Sequence, residues 1–218
     1  MRIFITSLCC LTIGLVAISC KVKRSTIIEV NKNGASTDSV QKNIPERLQK
    51  EKFRQYFSNI QNMLNIKPIE NGFNGQIIRI WISHGYRAKD TSQLITLIES
   101  AGLTFGNLYS YIPQYSYTWD STLSREVKVK AITPKTGWKS LMDSIQILEI
   151  QTLPDYGKIP EYYLSAGAFG VMIEIATVDK YRIFEYPDYF EHEKTIKQAK
   201  VIADMLLLFE REFNIKVL

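Results

Sequence analysis

The sequence predicts an α+β domain in which an antiparallel β-sheet of about five to six strands is packed by an N-terminal helix, a middle helix and a long C-terminal helix. Segments dense in β-branched and aromatic residues cluster in the chain, and segments with helical periodicity bracket them. The regular alternation of strand and helix that marks parallel folds is missing from the sequence. One domain fits the length of 218 residues, and the sequence contains no internal repeat.

The first predicted element is a helix over residues 45–65. Asn43 and Pro45 supply a start signal, and the helix ends before Pro68. Its apolar residues recur at helical spacing, which predicts one buried face. These residues are Phe53, Tyr56, Phe57, Ile60, Met63 and Leu64.

Four strands are predicted next. Residues 76–83 are dense in isoleucine and are bounded by turn signals, which indicates a central strand. Residues 93–99, 104–111 and 125–132 are three further candidates, and residues 93–99 also fit a short helix. Polar and apolar residues alternate strictly over 125–132, which is typical of an antiparallel strand with one face in water.

The last part of the chain predicts a helix, a hairpin and a second helix. Helical periodicity returns from Trp138 to Leu148, and residues 170–177 and 180–186 form a predicted β-hairpin. A long C-terminal helix follows, and we expect it to cover one face of the sheet. The apolar face of this helix contains Ile196, Ala199, Ile202, Ala203, Leu206, Phe209 and Phe213.

The N-terminus has the three parts of an export signal. Arg2 precedes an apolar stretch from Ile3, and the stretch closes with Ala17-Ile18-Ser19-Cys20. The stretch is too short and too interrupted by polar residues for a transmembrane helix. It resembles the lipobox of bacterial lipoproteins, and the resemblance implies that Cys20 becomes the lipidated first residue of the mature chain. A cleaved, secreted soluble protein and an uncleaved signal anchor remain as alternatives.

These features divide the chain into three parts. Residues 1–19 are the predicted signal peptide, residues 20–43 the lipid anchor with a flexible linker, and residues 44–218 the single α+β domain. Cys20 is followed by Lys21 and a basic run, without aspartate or an acidic stretch. By the sorting logic of lipoproteins, this resemblance implies the outer membrane and a position facing the periplasm.

The C-terminal part carries a second resemblance. From Pro134 onward the chain is similar to small lipoproteins of Bacteroidota-type bacteria that have no assigned function. The matching motifs are Lys135-Thr136-Gly137-Trp138, Leu153-Pro154-Asp155, Glu174-Ile175-Ala176, Lys180-Tyr181-Arg182 and Tyr186-Pro187. The resemblance implies a discrete domain, and it implies no mechanism.

Composition excludes several kinds of chemistry. Because Cys9, Cys10 and Cys20 are the three cysteines of the chain, the mature domain has neither a disulfide nor a thiolate nucleophile. The sequence lacks the spacing of zinc, phosphate-loop and serine-hydrolase motifs, so we predict no metal and no cofactor. A net charge of +5 is mild, and nucleic-acid binding would require basic clusters on one face of the domain, so the sequence does not indicate a nucleic-acid partner.

Two groups of residues are candidates for a binding surface. His84 and Arg87 follow the predicted central strand, where loops often carry binding groups, although a turn histidine also fits this position. Tyr115, Tyr117 and Trp119 lie in a loop rich in Ser and Thr. Exposed aromatic residues favour protein or carbohydrate partners, and packing within the sheet is the alternative. Carboxylate pairs such as Asp155 with Glu161, or Asp188 with Glu191, could in principle serve glycoside hydrolysis. In a chain with 22 acidic residues such pairs also arise by chance.

The sequence therefore favours a lipid-anchored binding or accessory module of the cell envelope with a protein partner, and it gives no firm indication of an enzyme. One alternative is an envelope hydrolase that acts on glycans or peptides. The other is an immunity-type lipoprotein that binds a toxin. A deep pocket that unites His84, Arg87 and a carboxylate would favour the hydrolase.

Overall fold

The computed structural model describes residues 40–83, 91–112, 126–164 and 170–217. In these ranges a seven-stranded sheet is covered on each face by helices, and the predicted α+β class is confirmed.

The described ranges contain seven strands and five α-helices. The strands are β1 (Gln41–Asn43), β2 (Gln76–Ser83), β3 (Ser92–Ser100), β4 (Leu103–Tyr111), β5 (Val127–Ile132), β6 (Gly170–Ala176) and β7 (Lys180–Pro187). The helices are α1 (Glu46–Gln49), α2 (Glu51–Met63), α3 (Trp138–Ile147), α4 (Tyr189–His192) and α5 (Lys197–Phe213), and a short 3₁₀ helix covers Tyr156–Lys158.

The strands are ordered β1-β7-β6-β2-β3-β4-β5 across the sheet. All neighbours are antiparallel except β1 and β7, which are parallel. The sheet thus has more strands than predicted and is not wholly antiparallel. The additional strand, β1, lies at the end of the predicted linker. Its three side chains are exposed, so it carries no hydrophobic pattern, and backbone pairing to the edge of β7 holds it in place.

The central strand β2 is buried from Ile77 to Ile82. Ile78, Ile80 and Ile82 point into the core formed with α3 and α5, whereas Ile77 and Trp81 contact the layer of α1 and α2. Burial on both faces explains why the strand is a nearly continuous apolar run in the sequence. β3, which also fits a short helix by sequence, is a strand because it pairs with β2 and β4 along its length.

The predicted N-terminal helix is divided into α1 and α2 by Lys50, whose backbone is extended with ψ of 136°. The helical period of the sequence begins only at Phe53, so the pattern does not fix the direction of the first turn. In α2, the ring of Phe57 meets Trp81 of β2 edge to face at 4.9 Å. Ile60 and Leu64 pack against Leu94 in the same cluster.

α3 and α5 cover the other face of the sheet, as predicted for the C-terminal helix. Trp138 at the start of α3 lies 6.2 Å from the ring of Phe213 at the end of α5. The indole also lies over Gly106 of β4, where a Cβ atom would come within 2.9 Å of it. Glycine at this position therefore allows α3 to approach the sheet.

A polar network is buried between the sheet and the layer of α1 and α2. Glu174 of β6 is 1% exposed and accepts hydrogen bonds from Trp81 Nε1 at 2.8 Å and from the Tyr181 hydroxyl at 2.9 Å. Arg79 Nη1 lies 3.8 Å from Oε2 of Glu174, and Arg79 Nη2 donates to the Lys67 carbonyl at 2.7 Å. Burial raises the pKa of the Glu174 carboxyl, and the charge of Arg79 opposes this rise.

The raised pKa of Glu174 predicts a specific dependence of stability on pH. Compared with the unfolded state, the folded state favours the protonated carboxyl. The contribution of Glu174 to the free energy of unfolding is therefore largest below the ordinary pKa of 4.5 and decreases as the pH rises through the folded pKa. Glu174→Gln stays neutral, so its free energy of unfolding should change less than that of the wild type over the pH range above ~4.5. Urea unfolding across this range tests the prediction, and equal pH dependence of the two proteins would contradict it.

Candidate functional site

The candidate residues chosen from sequence lie outside the described residues. These are the lipidation site Cys20, the pair His84 and Arg87, and the aromatic group Tyr115, Tyr117 and Trp119.

Two of these groups follow strands that end at the same end of the sheet: His84 and Arg87 follow β2, and the aromatic group follows β4. Ser83 ends β2 beside Gly170, and Tyr111 ends β4 beside Ser92. β2 and β4 are both antiparallel to β3, so they run in the same direction. The chain therefore leaves the sheet at the same end before each segment.

The environment of His192 indicates a structural role. The side chain is buried, and Nε2 lies 2.9 Å from the Tyr163 carbonyl oxygen. Its ring packs at 4.1 Å from the ring of Tyr162 and at 4.4 Å from that of Tyr163. These contacts fix the connection between α4 and the segment before β6.

A polar cleft of about 190 Å³ lies between the β1–α1 connection and β7. Asp155, which lines this cleft, is held by Arg47 of α1. The guanidinium donates to both carboxylate oxygens of Asp155 and to Glu185 Oε1, with 2.6 Å for each bond. Asp155 also accepts a hydrogen bond from the backbone N–H of Gly157 at 3.0 Å, so Arg47 and the backbone hold this carboxylate. This cluster joins α1, the 3₁₀ helix and β7.

The charges of this cluster are stabilised within the protein. Burial lowers the pKa of Arg47, but its bonds to Asp155 and the charge of Glu185 raise the pKa by more, so the guanidinium stays protonated. Burial raises the pKa of Glu185, and Arg47 opposes this rise. The arrangement resembles an internal staple more than a general acid and base, because each carboxylate is held by the same cation.

The second concave surface is a groove of about 420 Å³ between α3 and α5. Ile147 of α3 is 80% exposed and Leu207 of α5 is 62% exposed, and both line the groove. The remaining lining residues are Ser144, Leu148, Asp204, Leu208 and Arg211. Large apolar side chains in contact with water around a concavity are typical of a surface that binds another protein.

Asp204 and Arg211, which line the groove, carry charges of opposite sign. Lys200 contacts both oxygens of Asp204 at 2.7 Å, one turn apart on α5. Lys139 and Asp143 form the equivalent pair on α3 at 2.6 Å. Arg211 Nε lies 3.5 Å from Glu212 Oε1. The groove therefore combines an apolar centre with a polar rim, which is the usual anatomy of a protein interface.

A second exposed apolar area lies on the sheet face of β4 and β5. Leu103, Phe105 and Val129 share this face and are exposed. The alternation seen in the sequence of β5 predicts that one face is buried, but most of the strand is exposed on both faces because it forms the edge of the sheet. Lys128 and Lys130 on the opposite face guard this edge against pairing with other strands.

Two further tests apply to the described ranges. No group of three His, Cys, Asp or Glu side chains in these ranges is placed to hold a metal ion. The helices described here include none with the length and apolar character that crossing a membrane requires.

Comparison with known proteins finds no match to any family model, curated protein or solved structure.

The staple at Arg47 should contribute strongly to stability. Arg47→Met leaves Asp155 and Glu185 without their cation, and we expect a loss of about 2–3 kcal/mol in the free energy of unfolding, because the site is largely but not fully buried. The matched control is Lys139→Met, which removes an exposed pair and should cost about 0.5 kcal/mol or less. Urea unfolding measures both losses, and equal losses would contradict the assigned role of Arg47.

Proposed function

We propose that this chain is a lipid-anchored protein of the cell envelope that binds another protein through the groove between α3 and α5. The observation that carries the proposal is the pair of large apolar side chains, Ile147 and Leu207, that line this groove and are mostly exposed to water. The proposal places the protein at the outer membrane, facing the periplasm.

The chemistry of the groove supports a protein partner. Full burial of each of these two side chains in an interface would contribute about 1.5–3 kcal/mol to the free energy of binding, which favours a partner with an apolar surface. The polar rim formed by Asp204 and Arg211 supplies orientation rather than much affinity. By comparison, the polar cleft near Asp155 is smaller, and the Asp155 carboxylate that lines it is already paired with Arg47.

The membrane part of the proposal rests on the N-terminal sequence. Ala17-Ile18-Ser19-Cys20 follows an apolar stretch in the order that a lipoprotein signal requires. Two or three acyl chains on Cys20 would anchor the protein stably, whereas one chain gives only reversible binding.

Replacement of the lipidated residue tests the anchor. Cys20→Ser removes the thiol that receives the diacylglyceryl group, so the protein should leave the membrane fraction or accumulate as an unprocessed precursor. Fractionation of envelopes with immunoblotting measures both outcomes. Normal processing together with continued membrane attachment would refute the lipid anchor.

Photo-crosslinking tests the groove. A photoreactive amino acid at position 147 of the full chain should form a covalent adduct with a protein in living cells. Adding Leu207→Glu should reduce the adduct by about tenfold or more, because a charge would enter the apolar centre of the interface. Val178→Glu is the matched control, since Val178 is also exposed, at 64%, but lies in the turn between β6 and β7. Absence of any protein adduct would refute binding at the groove.

A further inference from the structure

We propose that the protein bound in the α3–α5 groove is a second copy of this chain, with the two α5 helices packed antiparallel. This inference rests on the proposed function of the groove and names its partner. It comes from the order of charged and apolar residues along α5.

Four residues form a self-complementary stripe on α5. Asp204, Leu207, Leu208 and Arg211 are spaced at i, i+3, i+4 and i+7, so they lie along one side of the helix, and all four line the groove. The stripe carries an acid at one end, a base at the other and two leucines between them. Its centre is the midpoint between Leu207 and Leu208.

A two-fold axis through this midpoint makes the stripe its own partner. In the antiparallel arrangement, Asp204 of one copy lies opposite Arg211 of the other. The exposed Leu207 of each copy covers the small exposed part of the other copy's Leu208, which is largely buried in its own core. Each contact occurs twice. A parallel arrangement would instead place Asp204 against Asp204 and Arg211 against Arg211, which like charges disfavour. Antiparallel helices also align their dipoles favourably.

α3 extends the same interface. Ser144, Ile147 and Leu148 are spaced at i, i+3 and i+4 and form the other wall of the groove. With α5 of the second copy over the groove, Ile147 would be covered, and two helices from each copy would form a four-helix layer. The dimer would thus bury the two apolar side chains, Ile147 and Leu207, that are exposed in the single chain.

The intrachain pair of Asp204 is compatible with this contact. Lys200 holds both carboxylate oxygens at 2.7 Å. Each oxygen has a further lone pair, so Asp204 can accept a bond from an arginine of the second copy at the same time. Arg211 lies 3.5 Å from Glu212 through Nε, and its side chain is 71% exposed, so a carboxylate of a second copy can approach the guanidinium from solvent.

Charge exchange on the full chain, purified in density-matched detergent, tests the dimer by sedimentation velocity over a range of concentrations. Asp204→Arg and Arg211→Asp should each weaken self-association by about tenfold or more, because each places two like-charged pairs across the axis. The double variant should recover the wild-type affinity. An equimolar mixture of the two single variants should form a heterodimer, which a folding defect in either variant could not produce. Val178→Glu should self-associate like the wild type.

Two outcomes would overturn the second copy as partner. One is self-association that charge exchange leaves unchanged. The other is a full chain that stays monomeric at every concentration while the adduct from position 147 contains a different protein, in which case the groove remains a binding site and its partner is not a second copy. Mass spectrometry of the adduct distinguishes these results, since a dimer contains peptides of this chain alone.

Discussion

The central strand β2 is shielded from water on both faces, and the rest of the structure follows from this constraint. Six consecutive side chains, from Ile77 to Ile82, are buried, so each face of the sheet needs its own layer of helices. One of the six is Arg79, whose charge has to be matched inside the protein. Glu174 on the neighbouring strand supplies the match, and Trp81 and Tyr181 complete the hydrogen bonds of its carboxylate.

Covering the sheet uses one face of each helix and leaves the other faces of the helix available for further contacts. In α5, Ala199, Ile202, Leu206 and Phe209 face the core at helical spacing. Leu207 lies outside this spacing and is mostly exposed. Because Leu207 does not help to cover the sheet, packing within the chain does not require an apolar residue at this position. A surface whose large apolar residues are out of phase with the core is better explained by contact with another protein.

The sequence predicts the strongly patterned elements well and the weakly patterned ones poorly. β2 has the predicted bounds because both its ends carry turn residues, whereas β1 is missed because backbone pairing holds three exposed side chains in place. The break at Lys50 is likewise invisible to periodicity. The groove carries no residue of catalytic type and no aromatic residue, so such residue types do not indicate it in the sequence. The informative signal was position: Ile147 and Leu207 are apolar but do not fit the period of their own helices.

A lipid anchor and a self-complementary groove would reinforce each other. Two chains tethered to one membrane meet at a higher effective concentration than two chains free in solution, so an interface of modest area and affinity is sufficient. The mixed charges of its rim suit this regime, since exposed ion pairs orient a complex and contribute little to its affinity. Association would also bring two sets of acyl chains together, which holds the pair on the membrane more firmly than either chain alone. The charged residues at the groove can therefore remain in contact with water in the single chain and still select one orientation of the partner.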